Sequence, residues 1–233
     1  MKKILFLLFT IALLAVVYFF WPGDGQKKTI KLTDMPWQIE QTDQGHTRVF
    51  GIELGKTNLW DLIESWKGLQ PDIGLFTSKN QHKRLEAYLG NRRLGLFDAK
   101  IILGLGASQE ELDTFSADDI NVKPMPTGAY KQEISEAHLE QAFGFPITSI
   151  TYIPKVKYDA ELLEKYFSQP QSRKPLKDGG AFWLYPGHGL VVLLDPDGKE
   201  VFHYVNREDF PSLVKRLEQE NEFQPIQEDG LPE

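Results

Sequence analysis

The feature that most constrains this chain is how it starts. Met1-Lys2-Lys3 is followed by an unbroken apolar run from Ile4 to Trp21, in which Thr10 is the only aliphatic hydroxyl. At 1.5 Å per residue, roughly 18 residues make a helix of about 27 Å, close to the hydrocarbon thickness of a bilayer. Two readings compete. A secretory signal has an apolar core of about 7–15 residues and an A-x-A-like cleavage site. Here the run is longer, Ala12 and Ala15 fall inside it, and the small pair that follows is Gly23 and Gly25. Tyr18 and Trp21 at the far end suit a membrane interface. The run therefore predicts an uncleaved anchor; a cleaved signal, releasing a domain that begins near Gln26, is the alternative. Lys2 and Lys3 favour a cytoplasmic N-terminus, although Lys27, Lys28 and Lys31 weaken the bias. The expectation is a single-pass inner-membrane protein, held by residues 4–21, with its C-terminal domain in the periplasm.

Beyond the anchor about 210 residues remain, enough for one large domain or two small ones. The formal net charge is −7, which argues against a nucleic-acid partner. The chain has no cysteine, so disulfides, thiolate metal sites and a cysteine nucleophile are excluded, and so is a lipidated N-terminus.

Taken in order, residues 22–36 read as a polar stem. Residues 37–116 read as a first α+β unit: a hairpin across 37–54, and a helix from Asn58 with Leu59, Leu62, Ile63 and Trp66 on its buried face. Alternating strands follow, with a turn at Gly90-Asn91-Arg92-Arg93, and then a capping box at Ser108-Gln109-Glu110-Glu111. Residues 117–129, with Pro124, Pro126 and Gly128, read as a connection. Residues 130–221 read as a second unit: a helix over Ser135–Phe143, a strand over Ile147–Ile153 and a helix capped by Asp159. A hairpin about Asp195-Pro196-Asp197-Gly198 and a final helix from Asp209 complete it. Residues 222–233 read as an acidic, disordered tail. The fold class is α+β: a transmembrane helix followed by two related helix-plus-antiparallel-sheet units.

The two halves rhyme at an offset of about 100 residues. Helix Asn58–Trp66 matches Asp159–Phe167, Tyr88 matches Tyr185, Leu94 matches Leu190, Asp98 matches Asp195, and Ile101–Leu105 matches Val201–Val205. Trp66 and Phe167 are then expected at equivalent buried positions. In the second half, Asp159 to Pro170, Phe182-Trp183-Leu184-Tyr185 and Leu190 to Tyr204 give a short capped helix, a Gln-Pro break, an aromatic strand and a hydrophobic hairpin. This order resembles the SmpA/OmlA lipoproteins of outer-membrane barrel assembly and the related tandem-repeat β-lactamase-inhibitor proteins. It covers under half of the chain. The lipidated Cys is missing, and the Gly-x-Thr helix start is found only at Gly55-Lys56-Thr57. The resemblance implies a helix-on-sheet interaction module.

Motifs with chemical meaning are few. Gly104-Leu105-Gly106-Ala107-Ser108 lies between a strand and a helix, but Gln109 takes the third glycine position, and Glu110 and Glu111 sit where phosphate would bind. Asp195-x-Asp197-Gly198 lacks the Glu that completes a calcium loop. His46, His82, His138, His188 and His203 are scattered; His188 and His203 alone approach each other across a hairpin. Asp61 and Glu64 read as solvated helix carboxylates. The basic cluster Lys79, His82, Lys83, Arg84, Arg92 and Arg93 stands out in an acidic chain. The expected role is non-enzymatic binding in the envelope, with no cofactor, no metal and no catalytic residue, and with Lys79, Lys83, Arg84, Arg92 and Arg93 meeting a protein partner. A hydrolase with an unrecognised site, or a module for a small ligand or lipid, is the alternative.

Overall fold

Period-two burial sorts the strand side chains onto two faces and so dictates the architecture. In one central strand Ala99, Ile101, Leu103 and Leu105 are buried while Asp98 and Lys100 are exposed. The computed structural model describes residues 33–125, 128–196 and 200–220; the expected anchor at 4–21, residues 22–32 of the stem and the tail at 222–233 lie outside them. Among the described residues no helix is long and apolar enough to cross a membrane.

The described part of the chain is α+β, and from residue 33 onward it forms one compact unit. Strands β1 (Glu40–Gln41), β2 (Thr47–Val49) and β3 (Ile52–Glu53) make a small antiparallel sheet. Helix α1 (Leu59–Ser65) leads into β4 (Asp72–Thr77), β5 (Lys83–Leu94) and β6 (Phe97–Leu105). Helix α2 (Gln109–Ser116), strands β7 (Ile120–Pro124) and β8 (Tyr130–Glu133), helix α3 (Glu136–Gly144) and strand β9 (Ile147–Pro154) follow. Helix α4 (Ala160–Phe167) then precedes β10 (Ser172–Pro175), β11 (Ala181–Tyr185), β12 (Leu190–Leu194) and β13 (Val201–Val205), and α5 (Phe210–Glu220) closes the described chain. The last ten strands form one sheet in the order β10-β11-β12-β13-β9-β6-β5-β4-β8-β7, with every neighbour antiparallel.

The front of this sheet is the main core. Ile101, Tyr152, Phe202, Val192 and Trp183 form one cross-strand row of it, and Leu59 and Leu62 of α1, Phe115 of α2, and Leu163 and Phe167 of α4 pack against it. The helices begin where short polar side chains can hold their first amide groups. Asn58 and Asp61 form a capping box, Ser108 and Glu111 another, and Asp159 accepts from Leu162 N at 2.8 Å. On the reverse face Phe182, Leu184, Val191 and Val205 meet Phe210, Leu213 and Leu217 of α5.

Four expectations need correcting. Gly90 to Arg93 is not a turn. Gly90, at φ +71°, absorbs a register shift between Tyr88 and Asn91, and β5 continues to a turn at Gly95-Leu96. A Cβ at Gly95 would stand 2.8 Å from the Thr33 carbonyl oxygen, so this turn needs glycine both for its φ of +54° and for space. The 117–129 connection contains β7, which pairs with β8; that hairpin extends the sheet beyond β4. Gln132 of β8 lies opposite Leu75 and donates from Nε2 to the Phe115 and Ser116 carbonyls, satisfying groups that the end of α2 leaves open. Trp66 ends its helix half-buried at the edge of the core, whereas Phe167 is 3% exposed.

The last correction concerns the two halves. β6 and β13 flank β9 in one register, with Ile101 and Phe202 both opposite Tyr152, and each ends a helix-then-strands sequence. The meanders advance toward β9 from opposite edges, however, while β6 and β13 run parallel to each other and α1 and α4 share the front layer. Superposing one on the other would turn it over and put its helix behind the sheet. The order of elements recurs, but the handedness does not.

Candidate functional site

Helix α5 covers the reverse face only over β10–β13, and its free side faces the rest of the sheet. Its apolar stripe of Phe210, Leu213 and Leu217 leaves Arg216 and Glu220, four residues apart, pointing toward β5. The reverse-face positions that meet this flank are Arg84 and Glu86 of β5, Ile102 and Gly104 of β6, Ser149 and Thr151 of β9, and His203 of β13. All of these but His203 line, with Arg216, a half-open trough of about 250 Å³. Its floor is low because Gly104 has no side chain: a Cβ there would come 2.3 Å from Ser149 Oγ.

The charges are unevenly shared. Arg84 donates from Nε to Glu86 at 3.1 Å and from Nη1 to Glu220 at 2.6 Å. Burial opposes its charge, but Glu86 and then Glu220 outweigh that and hold its pKa above the usual arginine value. The Arg216 side chain makes no hydrogen bond or ion pair with any described residue; burial and the adjacent Arg84 charge pull its pKa down. His203 faces Thr151 Oγ1 at 3.2 Å through Nδ1. Burial first, then Arg216 and Arg84, push its pKa down to about 3, so the ring is neutral under ordinary conditions.

The basic cluster expected from the sequence is not one surface. Lys79 lies in the loop before β5, Lys83 and Arg84 stand at its start, and Arg92 and Arg93 lie near its end, about 30 Å away at 3.3 Å per residue. Lys83 pairs with Asp113 at 2.8 Å, and Arg84 belongs to the trough. Lys79 is exposed. Arg92 donates to the Leu89 and Gly68 carbonyls at 3.3 and 3.1 Å. Arg92 and Arg93 line a second, shallower trough of about 400 Å³ with Trp66, Lys67 and Asp34.

Several motifs have structural roles. Glu111 serves the α2 cap, and its hydrogen bonds to the Ser108 backbone and side chain keep its carboxyl below the usual range. Asp61 accepts from Asn58 N at 3.2 Å. His188 sits against Tyr185, a front-face residue, while His203 lies on the reverse face, so the sheet separates the pair. The Asp195 turn runs into residues outside the described set. Sequence reasoning missed Arg216 and Ser149, and paired His203 with His188 instead of with Thr151. Arg216 beside Leu217 at the border of an apolar stripe was a signal, but the strand it meets is set by sheet order. The chain matches no family model, and no curated protein or solved structure matches it either.

Proposed function

We propose that this chain is a membrane-anchored extracytoplasmic protein that acts by contact, as an envelope interaction or assembly-support module. The observation that carries the reading is the open half of the reverse face. Beneath α5, Val191 is 1% exposed. In the same cross-strand row, outside the cover of α5, Tyr88 is 37% exposed beside half-buried Ile102. Exposed Asp72 and Lys100 and half-buried Ile153 surround them. An aromatic and aliphatic strip within a charged rim is the composition of a protein-contact surface. The run at residues 4–21 supplies the tether. Helix-plus-meander units on both sides of β9 fit a module built to present a broad sheet, though not as superposable copies.

The test is to exchange Tyr88 for Glu in the full-length chain and to recover partners from membranes. A folded variant that loses a co-purifying protein retained by Lys79→Glu supports the reading; unchanged recovery removes the open face. The small-ligand alternative draws on a different observation, the Arg84–Arg216 trough.

A further inference from the structure

A guanidinium carries five N–H donors and no acceptor, and enclosing it without a partner is costly. Arg84 answers this with Glu86 and Glu220. Arg216 does not: both carboxylates are close enough to act on it through space, yet neither forms an ion pair with it. It is half-buried, it adjoins a second arginine, and it lines a trough with room for a small guest. The two arginines repel each other, and Glu86 and Glu220 offset this through space without occupying the donors of Arg216.

We propose that the trough binds a phosphate group, with Arg216 as its principal ligand. Arg84, which keeps part of its fork free of described partners, and the hydroxyl of Ser149, which has no acceptor among the described residues, supply further donors. A tetrahedral anion with several acceptor oxygens can accept from two guanidinium groups and a hydroxyl at once, in the charge-assisted geometry that arginine favours. Its bulk suits about 250 Å³. The one carboxylate in the lining, Glu86, is held by Arg84, and Gly104 keeps the floor clear for Ser149. Glu86 and Glu220 balance the charges of Arg84 and Arg216 and so keep affinity moderate; Arg216 is the guanidinium whose donors no described carboxylate takes up. The phosphate can be free or part of a glycerophospholipid headgroup. This site requires neither the anchor nor a protein partner.

Because the Arg216 side chain has no hydrogen-bond or ion-pair partner among the described residues, Arg216→Gln should leave the fold intact, which makes it a clean test. The full-length chain in neutral detergent is titrated calorimetrically, at constant ionic strength, with inorganic phosphate and with glycerophosphoglycerol, the deacylated headgroup. Wild-type binding of either probe, weakened at least tenfold in Arg216→Gln and partly restored in Arg216→Lys, is the expected result. A response to phosphate alone identifies the free ion as the source; a response to the diester identifies the headgroup. Binding that is equal in wild type and Arg216→Gln overturns the proposal. So does silence toward both probes, or binding only of an acidic peptide such as oligoglutamate. If Arg216→Gln fails to fold, the same readouts on Ser149→Ala and Gly104→Ala decide, the latter filling the floor.

Discussion

Two residues show how polar groups are used inside this molecule. Asn206 follows β13 and joins it to the small N-terminal sheet, accepting from Thr47 N at 2.8 Å and lying 3.4 Å from the Leu54 carbonyl. Thr47 and Asn206 are both buried. Asn206→Ala leaves the Thr47 amide enclosed without an acceptor and should cost about 1–3 kcal/mol, read as a lower urea midpoint at unchanged slope. His203 makes a pH prediction. Its folded pKa of about 3 lies below the ordinary histidine value, so the unfolded chain takes up a proton that the folded chain refuses. Stability contributed by this ring is complete above about pH 6.5 and is lost as pH falls toward 3, at up to about 1.4 kcal/mol per pH unit. Urea melts from pH 7 to 4 should therefore be flatter for His203→Gln than for wild type. Neither role was legible in the chain. Asn206 reads as a polar residue after a strand and His203 as one alternation in a hairpin; their partners lie 159 and 52 residues away.

At the scale of elements the sequence was more informative, because caps and periodicity are local. Asn58, Ser108 and Asp159 each start the helix their spacing predicts, and the hairpin of β12 and β13 stands where Gly189 to Val205 alternates. Asp159→Ala should cost about 0.5–2 kcal/mol of stability through the lost cap. Phe167, wedged against Tyr185 and Phe202 at 6.0 and 5.7 Å, should cost about 3–5 kcal/mol on truncation to Ala. Trp66→Ala should cost distinctly less, since that ring is only half-buried and much of its surface remains wet in the folded state. Paired thermal melts distinguish the two. What failed was the β5 turn. Gly90-Asn91 is a strong hairpin signal, and only the continued pairing of Asn91, Arg92 and Arg93 with Lys100, Ala99 and Asp98 converts it into a bulge.

At the scale of the whole molecule, sheet order decides what the chain can present. The sequence shows a helix and strands twice, but not that one set approaches β9 from the left and the other from the right. That choice brings both helices to the front and leaves α5 to cover half of the back. The candidate surface and the trough are both products of this arrangement, which is why the basic residues that looked like a patch proved to be two separate ends of one strand. A contact function should be visible where the sheet is open and nowhere else. The direct measurement is photo-crosslinking in intact membranes, with the reactive residue at position 88 on the open face or at position 64, exposed on α1. A discrete protein adduct from position 88 that is missing from position 64 is the expected result. No adduct from position 88, or the same adducts from both positions, would contradict it.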